Sequence, residues 1–292
     1  MAFNFSLSNG SNKTVTQGGS VTCTPNCSST LTLSASASAA TGSASVIVTA
    51  TGGGVSRTSA FMLTVNATTP PPLPPPATGP VGWWKLDENT GASAIDSSGS
   101  GNNGTLTNGP VWTAGRMASG LAFDGTNDSV IIPHSSSLAM AGAFSMAAWI
   151  NPALSTTSFK SVMVKNYTLF LYASVKGYCG NGAVLAGFVG TAGTKTVCAP
   201  TPLPANAWTH LAATNDGSVL RLYRNGVMTS SAVVTGVPVA STGTLQLGAS
   251  RAGEYFNGKL DEARVYNRAL SATEVLALFN AASPGRTPTG EN

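Results

Sequence analysis

Asn257–Asn280, NGKLDEARVYNRALSATEVLALFN, decides how the rest of the chain is read. Asn257-Gly258 opens it as an edge turn. From Lys259 to Tyr266 an extended strand turns alternate side chains to opposite faces, which predicts Asp261, Ala263 and Val265 on one side and Leu260, Glu262, Arg264 and Tyr266 on the other. One carboxylate then stands in line with two apolar residues. A buried carboxylate must be paired, hydrogen-bonded, metal-bound or protonated, because an isolated charge is costly to take out of water. On the opposite side Glu262 and Arg264 are expected to pair in solvent, where a pair is worth about 0.2–1 kcal/mol. Ser271-Ala-Thr-Glu274 reads as a capping box, with Leu270 and Val275 placed as its hydrophobic staple. Val275, Leu276, Leu278 and Phe279 then dock a short closing helix.

Four further stretches precede it in order: VGWWKLDENTG (81–91), DSSGSGNNGTL (96–106), LAFDGTNDSVIIP (121–133) and WTHLAATNDGSVLRLYRNGV (208–227). With the closing block, whose form is G-x-[IL]-D-[DE]-x-R-[IV]-Y-N-R-A-L-S, they resemble a bacterial laminin G-like domain of the concanavalin A-like type. The resemblance covers residues 81–280 and implies a jelly roll of two packed sheets. It specifies fold more than function, since lectins, adhesins, carbohydrate-binding modules and hydrolases share this architecture. It also implies one structural calcium ion tying the first strand to the last, at positions that correspond here to Asp87, Asp124 and Asp261. Oxygen ligands on tight turns suit such a hard cation, although plain turn-capping aspartates at Asp124 and Asp128 are the alternative. The spacing is not that of a helical calcium loop.

Residues 1–66 form a separate module. FNFSLS, KTVTQGGSVTC, STLTLSASA, SASVIVTAT and SAFMLTV are short runs of β-branched and small residues punctuated by Gly-Gly, Asn-Gly and Thr-Gly. The module resembles a shortened bacterial immunoglobulin-like β-sandwich, and it contains no Asp, Glu or His. It therefore supplies neither an acid/base pair nor a carboxylate cage, and reads as a spacer. Residues 67–80, ATTPPPLPPPATGP, hold seven of the 17 prolines and form a stiff polyproline linker. The fold class is thus all-β: a small immunoglobulin-like sandwich, a linker, a jelly roll over 81–282 with a short C-terminal helix, and a disordered tail or tag remnant over 283–292.

Composition narrows the function. Only 9% of residues are charged and the net charge is +4, with the basic residues scattered. No nucleic-acid partner and no membrane insertion are expected from such a surface. Residues 1–10 lack the basic start and apolar core of a signal peptide, so the chain reads as a segment of a longer exported protein. The four cysteines fall into near pairs, Cys23 with Cys27 and Cys179 with Cys198, which favours two local disulfides in a secreted or cell-surface setting.

Catalysis finds little support. Hydrolases on this fold use an E-x-D-x-x-E strand that is missing here, and Asp261 and Glu262, being adjacent, are expected on opposite faces. His134 lies in a loop, and His210 reads as a hydrogen-bonded structural residue. The remaining class is binding. Sugars are held by aromatic platforms with polar donors on loops, and the candidates between or at the ends of strands are Tyr167, Tyr178, Phe188, Arg251, Glu254 and Tyr255. The expected partner is a glycan or cell-surface polysaccharide, with neighbouring modules of the parent chain. The alternatives are an accessory region of a polysaccharide-degrading enzyme, and a structural adhesin or fibre subunit.

Overall fold

The computed structural model describes residues 79–281, apart from 155–157, 167 and 251, together with the backbones of strands between residues 2 and 65. Cys23, Cys27, Tyr167, Arg251, the proline stretch up to residue 78 and the tail 283–292 lie outside the described residues. The chain divides into two compact units, Met1–Pro72 and Leu73–Asn292. In the first, Ala2–Leu7, Gly42–Gly52 and Val55–Val65 form a three-stranded antiparallel sheet, and Thr14–Thr16 pairs with Thr32–Ser34. Strands therefore fall in all five runs that the sequence marks, without showing an immunoglobulin-like sandwich.

In the second unit two large antiparallel sheets face each other. One runs in the order Val227–Val233, Val219–Arg224, Thr209–Asn215, Phe144–Pro152, Asn257–Tyr266, Ser119–Asp124 and Val111–Ala114. Asn257–Tyr266, the closing strand, is central to it, and Gly82–Trp84 pairs along its far end. The other runs in the order Gly193–Ala199, Val184–Gly190, Leu169–Ser174, Lys160–Lys165, Leu245–Leu247, Ser129–Ile132, Gly104–Thr107 and Ser93–Ala94. Alternating side chains from both inner faces fill the space between them, as in Phe144, which meets Phe188 edge-on at 5.9 Å. Turn chemistry fixes the register. Asn225 and Gly226 both take positive φ, 51° and 78°, so a primed two-residue turn joins Val219–Arg224 to Val227–Val233.

The closing strand departs from simple alternation. Pairing with Phe144–Pro152 slips between Ala147 and Trp149, and Glu262 sits at φ 54°, so an extra residue bulges there. Leu260, Ala263 and Val265 enter the core between the sheets, while Asp261, opposite Trp149, and Arg264, opposite Ala147, share the outer face. The expected grouping of Asp261 with Ala263 and Val265 is therefore corrected by the bulge. The Glu262–Arg264 pair is also corrected: both residues are buried.

Ala272–Ala281 is the helix that covers this outer face. Its N-terminus is the expected capping box, in which the Glu274 N–H donates to Ser271 Oγ at 3.2 Å and the Ser271 N–H donates to Glu274 Oε2 at 2.8 Å. Leu270 and Val275 close over Ala147, Ala212, Tyr223 and Tyr266.

Candidate functional site

On the outer face of the closing-strand sheet, one row of cross-strand neighbours runs His210, Trp149, Asp261. The Trp149 ring stacks on Phe279 of the helix at 5.5 Å and lies 5.4 Å from the His210 ring, with the Arg116 guanidinium over it at 4.6 Å. Asp261 is 0% exposed, and its Oδ2 accepts the Arg116 and Met117 N–H groups at 2.7 and 2.8 Å. Burial pushes its carboxyl up to about 7, against those two N–H bonds, and the charges of Glu262 and Asp87 push the same way. His210 is pushed down to about 3 by burial, with Arg264 repelling its charged form. Its ring nitrogens have no hydrogen-bond partner among the described residues, so aromatic packing holds the ring in place of the expected hydrogen bond. Glu262 Oε2 accepts Trp83 Nε1–H at 2.9 Å and meets Arg264, and both Arg264 and Lys85 lie over the Trp83 ring at 4.5 Å. The bulge thus places Asp261 and Glu262 on one face, contrary to their expected opposition, yet both are sealed from solvent.

The calcium set implied by the resemblance is not assembled. Asp124 stands opposite Asn257, four positions before Asp261 on the closing strand and so about 13 Å from it at ~3.3 Å per residue. Asp124 Oδ1 caps the Thr126 and Asn127 N–H groups, and Asp87 Oδ1 accepts the Ser119 N–H. Asp261 Oδ2 is taken up by two N–H donors. Among the described residues no three His, Cys, Asp or Glu side chains are grouped to hold a metal ion, and these three aspartates do not fit a shared one.

A cleft opens at one end of the sandwich. Its volume is ≈ 170 Å³, and it is lined by Pro152, Leu154, Ser158, Lys160, Ala173, Ser174, Gly182, Leu203, Phe256 and Asn257. Pro152 and Asn257 come from strand ends of one sheet, and Lys160, Ala173 and Ser174 from the other. The lining is mainly apolar, and Leu154 is 65% exposed at its mouth. Gly182 closes the loop after Leu169–Ser174 by donating its N–H to Val175 O at 2.9 Å. That loop carries Tyr178, 58% exposed, and is tied back by the Cys179–Cys198 disulfide.

The sequence-derived candidates fare unequally. Tyr178 stands on a loop that reaches the cleft. Glu254 Oε2 accepts the Tyr172 and Ser250 hydroxyls, both at 2.7 Å, so it fastens the segment leading into Phe256 and Asn257. Tyr255 is half-buried within that segment. Phe188 is corrected: with Val184 and Ala186 it faces the core and is fully buried. Lys160, Asn257 and Leu154 were not singled out by sequence reading. A lysine opening an apolar strand carries no signal of its own, and only the meeting of two sheet ends makes these residues neighbours.

A family model described as the concanavalin A-like lectin/glucanases superfamily matches residues 124–276. No curated protein matches the chain in sequence. Among solved structures, the binding domain of Paraclostridial Mosquitocidal Protein 1 is similar at 20% identity and TM-score 0.56, over 69% of this chain and 52% of that one. Domain 4 of AbnA, a GH43 extracellular arabinanase from Geobacillus stearothermophilus solved with arabinotriose, is similar at 22% identity and TM-score 0.56, over 68% of this chain and 97% of that one. The Botulinum neurotoxin serotype G binding domain is similar at 16% identity and TM-score 0.55, over 70% of this chain and 51% of that one. This chain therefore spans about half the length of the two toxin binding domains and nearly all of the arabinanase domain. With the matching region covering more than half of its residues, the chain belongs to the concanavalin A-like lectin/glucanases superfamily.

Proposed function

We propose that the jelly roll is a non-catalytic, extracellular carbohydrate- or surface-binding module of a larger exported protein, and that its ligand enters the cleft between Leu154, Lys160, Phe256 and Asn257. The observation that carries this reading is the cleft itself: apolar walls, a few convergent polar groups and an exposed tyrosine nearby are the surface on which a sugar ring stacks and hydrogen-bonds. The similar structures are binding domains, and one of them was solved with a trisaccharide. The disulfide agrees with an oxidising compartment, and no described helix is long and apolar enough to cross a membrane.

The acids support a non-catalytic role. Asp261 and Glu262, adjacent on the closing strand, are both buried, and no substrate reaches them there. Similarity over nearly the whole of an extracellular arabinanase domain favours a second reading, in which this module accompanies a polysaccharide-degrading catalytic part. The two readings share one test. On a glycan array the chain retains a saccharide, and Tyr178→Ala or Leu154→Ser weakens that retention with the melting temperature unchanged. Retention of no glycan, retention indifferent to both substitutions, or release of reducing sugar from a polysaccharide panel overturns the proposal.

A further inference from the structure

We infer that the saccharide taken by this cleft is anionic, its acidic group meeting Lys160; the inference rests on the cleft being the glycan site. Lys160 is half-buried and is the one charged residue among those lining the cleft. It stands opposite Ser174 in the sheet, and the ion pairs among the described residues are made by Arg221, Arg264 and Arg268, leaving Lys160 without a carboxylate.

Among the described residues no carboxylate makes an ion pair with Lys160. Glu254, on the segment leading into Phe256 and Asn257, already takes the Tyr172 and Ser250 hydroxyls on one oxygen. Asp216, Glu262 and Glu274 are bound to their own arginines, and Asp96, Asp124 and Asp128 accept backbone N–H groups. The residues just before Lys160, Ser155-Thr-Thr-Ser-Phe159, carry no carboxyl. Lys176, exposed on the loop that ends at Gly182, adds a second positive charge on the same side of the fold.

The consequence is electrostatic. An ammonium partly withdrawn from water and set in apolar walls has lost hydration without gaining a counter-charge. A carboxylate or sulfate restores that loss through a charge-assisted hydrogen bond, about twice as strong as a neutral one. A neutral sugar hydroxyl restores only part of it. Asn257 lines the same cleft beside Leu154 and Phe256, which present apolar surface to a sugar ring.

The test is titration of the full chain with a galacturonic acid oligosaccharide, a heparin-derived oligosaccharide and a neutral arabino-oligosaccharide of matched length. Calorimetry at low and high salt, with melting curves to confirm folding, gives the readout. One or both acidic probes are expected to bind at least tenfold more tightly than the neutral one. Lys160→Gln should remove that preference, Lys160→Arg should keep part of it, and added salt should erode it. Whichever acidic probe shows the Lys160 dependence identifies the group as carboxylate or sulfate. Equal binding of neutral and acidic probes overturns the inference and leaves the cleft as a glycan site. Acidic preference unchanged in Lys160→Gln overturns it by putting the charge contact elsewhere. If no probe binds, the glycan reading fails along with it.

Discussion

The outer faces of the two sheets reach burial by opposite means. On the closing-strand sheet the outer layer is polar: Asp261, Glu262, Arg264 and His210 are all buried, sealed by the Ala272–Ala281 helix and the 115–118 turn. On the partner sheet the outer layer is apolar. Val164, Phe170, Tyr172 and Leu185 cluster with Phe159 and with Cys179 and Cys198. The difference lies in where hydrogen-bonding capacity is spent. The polar face uses most of its charges on itself. The cleft beside the apolar face holds Lys160, which makes no ion pair among the described residues. Buried charge on the closing-strand sheet therefore serves the architecture, while the proposed ligand contact rests on the half-buried Lys160.

The largest break in that comparison is Trp149→Ala. Trp149 joins His210, Phe279 and Arg116, and its loss should cost about 3–5 kcal/mol, read as a drop in the denaturant midpoint. On the other face, the double substitution Cys179→Ser with Cys198→Ser frees a 19-residue separation and should cost about 3 kcal/mol by chain entropy. A greater loss from the cysteines than from Trp149 would mean that the covalent tie outweighs the stacked polar row.

Acidity sharpens the contrast within the polar face. Asp261 titrates in the fold at about 7, above its unfolded value, so the stability it contributes is complete below about pH 4 and is lost as pH rises through 7. His210 titrates at about 3, below its unfolded value, so its contribution is complete above about pH 6.5 and is lost as pH falls toward 3. The two slopes oppose each other between pH 4 and 6.5. Melting curves across pH 4–8 should therefore be flattest for the wild type in that window. Asp261→Asn should melt at progressively lower temperature toward acid, and His210→Gln should melt lower toward pH 8. Parallel profiles for all three proteins would show that neither group is linked to folding.

The smallest effect is at the helix start. Ser271→Ala removes the acceptor for the Glu274 N–H and should cost about 1 kcal/mol, visible as a modest fall in melting temperature. A loss much larger than this would mean that the cap, more than the Leu270 and Val275 contacts, holds the helix over the polar row.

Much of this architecture is legible in the chain because it depends on local rules. Ser271 and Glu274 cap a helix wherever they meet at that spacing. Asn225-Gly226 turns a hairpin because both residues tolerate positive φ. Asp96, opening a Gly/Ser/Asn loop, turns back onto backbone amides and accepts the Ser98, Trp83 and Asn102 N–H groups. Phe188 misleads for the same reason that it is visible: an aromatic beside a turn signal looks like a platform until its strand neighbours show which face is inward. Glu262 misleads because alternation assumes an unbroken pleat, and a bulge exists only between two paired strands of unequal count.

The sequence by itself determined the strand runs, the turns, the helix cap and the family to which they add up, and favoured the Cys179–Cys198 pairing, since each is written in residues close together along the chain. Tertiary structure alone decided that Asp261 and Glu262 share a sealed face, that Asp124 stands apart from Asp261, and that Lys160 opens beside Asn257. Those relations are set by register and by the meeting of two sheets, where residues nearly a hundred positions apart become neighbours and the local pattern has no term for distance.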